Sequence, residues 1–295
     1  MKKQSFTLLE LILVIGIAAI LTVMAGPIYR TIFAGNNSQR AATELTARIA
    51  YARNYSVVNH TYTALIFLSV DEDTGLIEGL HTDVSTSDKK ELKKLSGNYY
   101  NAAYRLAVVS RSEGGFKFRM WVPDSKWNFL PSEIIIPPGE KYFGVQESNE
   151  EFEDDDEEEI NEDFYTVDED IDLIEVKDVN LVELLNLAQY KEQASQEGGT
   201  VSTIEPDDSD SDRVLADIKR CLIFRPNGQL ASSANKSVLI HFAAATYDPS
   251  MLGEPGFRFI PKDRSEDGTV EYVMLVLNPL TGKVKYHHKN DKPEF

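Results

Sequence analysis

The side chains able to do chemistry are few and scattered. Five histidines stand at His60, His81, His241, His287 and His288. The last two are adjacent, and strand neighbours face opposite ways, so they do not converge on one metal ion. Asp207, Asp208, Asp210 and Asp212 offer hard oxygen ligands of the kind calcium takes. They lack the glycine turn and closing glutamate of an EF-hand loop. A solvated acidic loop is the simpler account, and no metal is expected. Cys221 is the only cysteine and lies in an apolar run, so it reads as a buried thiol with no intramolecular disulfide. Gly114-Gly115 follows no phosphate-loop pattern. No nucleophile, base and orienting acid fall into a recognisable set, so neither an enzyme nor a cofactor is expected. One titratable residue does stand in an unusual place. Glu10 lies within an apolar run, where a carboxylate in a membrane helix costs about 2.5–3.5 kcal/mol near the centre and less toward an end. It becomes tolerable when a cation reaches it.

The run around Glu10 is Met1 to Gly26, with Lys2 and Lys3 first and no polar side chain from Leu11 to Leu21. A helix from Phe6 to Gly26 would be about 30 Å long, enough to cross a hydrocarbon core. A secretory signal peptide would explain the lysines and the apolar run, but places Glu10 where no charge belongs. A plain single-pass anchor, held N-terminus inward by the lysines, leaves Glu10 unexplained. The phrase Ser5-Phe6-Thr7-Leu8-Leu9-Glu10-Leu11-Ile12 resembles the processing site of type IV pilins and pseudopilins. That resemblance implies a leader of residues 1–5, cleavage between Ser5 and Phe6, and methylation of the new Phe6 amine. It implies that Glu10 pairs with the N-terminal amine of a neighbouring subunit. The leader of that family usually ends in Gly, where Ser5 stands here. Pro27 lies where many members carry a helix-bending proline, and Gly26-Pro27 weakens a helix on intrinsic grounds.

The 295 residues suffice for one large domain or two small ones. Thirty basic against 48 acidic side chains give a net charge of −18, but the excess is local. From Glu147 to Asp163 twelve of seventeen residues are acidic and none is basic. The acidity therefore describes an insertion rather than a fold, and argues against broad nucleic-acid binding.

Beyond Pro27, Ala42, Leu45, Ile49 and Ala52 recur at helical spacing and form an apolar stripe fit to pack on a sheet. Residues 61–70, 104–110, 116–122 and 133–136 read as strands, and Asp88 to Leu95 as a short surface helix. Residues 147–212 read as an acidic, largely disordered insertion, with one short helix possible over Leu181 to Tyr190. Strand patterns return over 220–225, 237–246, 271–277 and 283–288, with turns at Pro226-Asn227-Gly228 and Pro279-Leu280-Thr281-Gly282. The expected domain plan is a membrane or filament helix over 6–34, a globular domain over 35–146 and 213–295, and the insertion between. The expected class is α+β: one long N-terminal helix, its first half transmembrane, packed on antiparallel sheets in the pilin manner.

A narrower resemblance rests on three phrases: Ala50-Tyr51-Ala52-Arg53-Asn54 at the helix end, Ile223 to Gly228, and the Pro279 to Gly282 turn. Their order is similar to minor pseudopilins of the GspH/FimT type. This implies a structural subunit of a type II secretion pseudopilus, anchored once in the inner membrane with its globular domain in the periplasm. The implied partners are other pseudopilins or pilins, the prepilin peptidase, the assembly platform and membrane lipid. An alternative is a minor type IV pilin for adhesion or DNA uptake. Lys283 and Lys285, just after the Thr-Gly turn, fall where some relatives contact DNA. Read alone, they are the lysine-rich face of an exposed hairpin, and nucleic acid is not the expected partner.

Overall fold

A computed structural model describes residues 37–71, 74–93, 95, 101–113, 115–137, 142–145, 174–184, 214–231, 236–252, 255–259 and 270–291. In chain order the first half holds helix α1 (residues 37–59), β1 (Tyr62–Phe67), α2 (Thr86–Lys93), β2 (Ala103–Ser112), β3 (Gly115–Trp121), β4 (Asn128–Phe129), β5 (Ile134–Ile135) and β6 (Phe143–Val145). The second half holds β7 (Val176–Asn180), β8 (Leu215–Ile218), β9 (Cys221–Phe224), β10 (Val238–Leu252), β11 (Pro255–Phe259), β12 (Val270–Leu277) and β13 (Val284–Asp291).

The chain leaves α1 abruptly. His60 takes a left-handed conformation (φ 54°) and the Thr61 amide donates back to the Ser56 carbonyl at 3.1 Å, which closes the helix. β1 follows at once. It pairs antiparallel with β2 on one side and with β9 on the other, Ala64 facing Ala107 and Ile223. The first sheet runs in the order β8-β7-β3-β2-β1-β9, with β4 on β2. The second runs β11-β10-β12-β13, with β5 and β6 on β10. One pair, β3 with β7, is parallel, Phe116 opposite Val176. The first sheet is therefore mixed.

Strand alternation divides the core. Ala64 and Ile66 point to a cluster roofed by Val70, Ile77, Val84 and Leu92 of the following loop and α2. Leu65 and Phe67 point the other way, into a cluster shared by α1, the first sheet and the second. There Ala41, Ala42, Leu45, Ile49 and Ala52 meet Leu222, Phe224, Ile240, Phe242, Val273 and Leu275. The apolar stripe expected on α1 is thus the face it buries. The strand patterns read from sequence all correspond to strands, and Asp88 to Leu95 overlaps α2. Ser85 caps α2: its hydroxyl oxygen accepts from the Asp88 amide at 3.1 Å and its proton goes to the Asp88 carboxylate at 2.7 Å.

Two expectations are corrected. The α+β class, a long helix packed on antiparallel sheets, does not hold. Strand exceeds helix by 44% to 23%, the sheet is curled and mixed, and no long apolar helix is present among the described residues. The α+β reading gave the N-terminal run too much weight against a chain otherwise rich in β-branched and aromatic runs. The single-pass inner-membrane placement is likewise unsupported, since among the described residues no helix is long and apolar enough to cross a membrane. The leader 1–5 and the helix expected over 6–34 lie outside the described residues. Within the stretch read as an insertion, residues 174–184 are described. They bring Val176, Val179, Leu181 and Leu184 into the first core cluster.

Ile49 is fully buried between the two sheets, whereas Val58, about two and a half turns on, is 75% exposed. Ile49→Ala should lower unfolding free energy by about 2–5 kcal/mol. Val58→Ala should change it by no more than about 0.5 kcal/mol. Urea denaturation of the two variants checks the pair.

Candidate functional site

The end of α1 meets two turns that lie far from it in sequence. Arg53, partly buried in its last turns, donates from Nε to the Gly228 carbonyl at 3.1 Å. Gly228 has φ 81° and closes the turn after β9, its amide donating to the Arg225 carbonyl at 2.8 Å. A Cβ there would sit 3.0 Å from Val57 Cγ2 and 3.1 Å from Arg53 Nε. Gly282 has φ 62° and ends the turn between β12 and β13. Its Cβ would lie 2.8 Å from Arg53 Cδ and 3.6 Å from the Phe224 ring. Both glycines therefore answer two demands at once, a left-handed backbone and the close approach of one arginine stem.

The two turns are also joined directly, Leu230 N–H donating to the Pro279 carbonyl at 2.9 Å. Asn278 shapes the second turn from inside: its side-chain oxygen accepts from the Leu280 and Thr281 amides at 3.0 and 2.9 Å. The three phrases that carry the narrower resemblance thus converge on one side chain. The arrangement offers a rigid joint between helix and sheets, with no reactive group in it.

Beyond that joint runs β13, at the open end of the second sheet's strand order. Lys283 and Lys285 are both exposed, and Val284 between them packs against the core. Lys285 and His287 pair with Val276 and Met274 of β12, so these two share one face. Burial, with the Lys285 charge beside it, holds the His287 imidazole below the ordinary histidine range. His288 faces the other way, as strand geometry requires, so the two histidines do not converge.

Ser5, Phe6, Glu10 and Pro27 lie outside the described residues, as do Asp207, Asp208, Asp210 and Asp212. Cys221 is buried in β9, and burial pushes its thiol well above the ordinary range. Its S–H donates to the Ile174 carbonyl at 2.9 Å. Trp121 and Trp127 pack at the rim of the first cluster, edge to face with ring centres 5.2 Å apart. Arg105 lies between strand and rim at 5% exposure, its guanidinium 4.4 Å from the centre of the Trp121 ring. That charge is satisfied by the Glu183 carboxylate and the Ser125 carbonyl, which ties β2 to residues 181–184.

One grouping went unseen in the sequence. His81, Asp178 and Asp217 each bring a ligand atom within 4.8 Å of the others. In the sequence His81 is one of five scattered histidines, and nothing marks out either aspartate. Each comes from a separate segment, and no short spacing marks them. No protein-family profile matches this chain, no curated protein matches it, and no solved structure matches it.

The joint at Arg53 predicts coupling. Gly282→Ala should cost about 1–3 kcal/mol, from the left-handed backbone and the displaced arginine stem. In an Arg53→Ala background the steric part vanishes. The two changes should then differ from additivity by at least about 0.5 kcal/mol, read from a double-mutant cycle in urea.

Proposed function

We propose that this chain is a minor pseudopilin, a structural subunit of the pseudopilus of a type II secretion system that supports protein secretion. The observation that carries the reading is the convergence on Arg53. The helix-end phrase, the turn at Pro226-Asn227-Gly228 and the turn at Pro279-Leu280-Thr281-Gly282 occur in the order of such subunits, and here they form one joint. The phrase from Ser5 to Glu10 adds the chemistry of assembly. Phe6 becomes a methylated N-terminal amine, and Glu10 supplies the carboxylate that pairs with the amine of the next subunit. An apolar surround makes that pair strongly directional, because an unpaired carboxylate there is costly. The domain beyond α1 is then the part that distinguishes this subunit from others in the filament. Its partners are other pseudopilins, the prepilin peptidase and the assembly platform.

A second reading, a minor type IV pilin that contacts DNA, has one observation in its favour. Lys283 and Lys285 are both exposed at the start of β13, beside the joint. The acid excess of the whole chain weighs against it.

Mass spectrometry of the mature chain should find an N-terminus at methylated Phe6, and Glu10→Ala should abolish incorporation into filaments and the secretion that depends on them. A mature start elsewhere, or unaltered secretion by the Glu10 variant, overturns the filament reading. Duplex DNA titrated into the full chain should show no binding at low salt. Binding that falls steeply with salt and is lost in Lys283→Ala/Lys285→Ala would favour the second reading instead.

A further inference from the structure

The outer edge of the first sheet carries a donor set of mixed kind. His81 Nε2 lies 3.0 Å from Asp217 Oδ1, and Asp178 brings its carboxylate within 4.8 Å of both ligand atoms. The three residues are part-buried and belong to the loop after β1, to β7 and to β8. Their backbones are fixed before any ion arrives. Asp217 N–H donates to the Gly79 carbonyl at 2.9 Å, and His81 N–H to the Leu215 carbonyl at 2.9 Å. The loop thereby straps the outer side of β8, with Leu80 bridged to Ala216. The approach is so close that a Cβ on Gly79 would fall 1.9 Å from the Asp217 carbonyl oxygen. On the inner side, β7 shifts register against β8 between Val176 and Val179, which sets Asp178 at φ 57° beside Asp217. The Asp178 amide donates to Asp217 Oδ1 at 2.9 Å.

We propose that His81, Asp178 and Asp217 bind one divalent transition-metal ion of the zinc class. The imidazole sets the chemistry: calcium and magnesium prefer all-oxygen shells, whereas one nitrogen with two carboxylates suits zinc. Zinc–ligand bonds of about 2.0–2.2 Å put tetrahedral ligand atoms about 3.4 Å apart, so a modest inward movement of side chains completes the shell. The fourth position is left to water. Lys117 Nζ holds Asp178 Oδ2 at 2.8 Å, but a carboxylate has two oxygens, so the ion pair does not exhaust it. Lys117 is half-exposed and free to swing away when the ion supplies the charge. The ion acts as a staple. It joins the strap, β7 and β8, and so fastens the two strands that flank residues 185–213. The acid-rich stretches elsewhere in the chain raise the local concentration of any divalent cation.

The test uses the full chain, stripped with a chelator and titrated with zinc chloride in a calorimeter at neutral pH. One saturable equivalent is expected, together with a melting temperature that climbs with zinc and not with the same concentration of calcium. His81→Gln and Asp178→Asn should each weaken that equivalent at least tenfold, a loss of the size ligand-shell changes produce. His287→Gln/His288→Gln should leave it unchanged. Asp178→Asn keeps the backbone amide bond to Asp217, so it guards against loss of fold in the histidine variant, and circular dichroism checks both. Absence of a saturable equivalent overturns the proposal. So does an equivalent that survives both ligand variants, or one that is lost only with His287 and His288.

Discussion

Keeping one face of α1 from water is the constraint on which the two sheets depend. Ala41, Ala42, Leu45, Ile49 and Ala52 are all small or aliphatic and all buried. No single sheet covers them. β1, β2 and β9 of the first sheet and β10 and β12 of the second all join the helix in one buried cluster. Alanine dominates the stripe, and large buried side chains from the sheets belong to the same cluster: Phe67, Tyr104, Phe224 and Phe242. Removing the helix would expose apolar side chains of both sheets at once. The polar joint at Arg53 then ties the end of the helix to the turn after β9.

The second cluster is organised differently. On the other face of the first sheet the cover is irregular: the loop after β1, α2 and residues 181–184. Its cohesion leans on specific polar contacts as well as area. Arg105 tied to Glu183 and Asp217 tied to His81 each span long stretches of chain. Burial works against the Asp217 carboxylate, yet the Asp178 amide and the His81 imidazole outweigh it and hold its titration below the usual range.

Much of the local structure was legible in the sequence, because it obeys short-range rules. The β1 run alternates its faces, and the α1 stripe has helical spacing. Gly228 and Gly282 mark left-handed turns. What failed was the weighting and the long-range pairing. The α+β class follows from one apolar run, whereas strand outweighs helix by 44% to 23%. β7 is hidden because Val176-Lys177-Asp178-Val179-Asn180 is short, polar and set amid acids; its pairing with β3 on one side and β8 on the other makes it a strand. His81, Asp178 and Asp217 were illegible for the same reason, since nothing local brings them together. The Arg53 joint was half legible: its three phrases stood out, but not their meeting point.

The order of strands in the first sheet has a consequence for how the chain reaches this structure. β1 is flanked by β2, its near neighbour in sequence, and by β9, which the ribosome makes long afterwards. The hairpin of β1 and β2 can form early, but its other edge stays open until most of the chain has returned. Loop-closure entropy grows only logarithmically, so doubling the intervening chain costs about 0.6 kcal/mol. Folding rate is more sensitive, since contacts distant in sequence slow the search. Added chain length between β6 and β7, or between residue 184 and β8, would therefore cost little in stability, yet each addition prolongs the exposure of a bare, apolar β1 edge during synthesis.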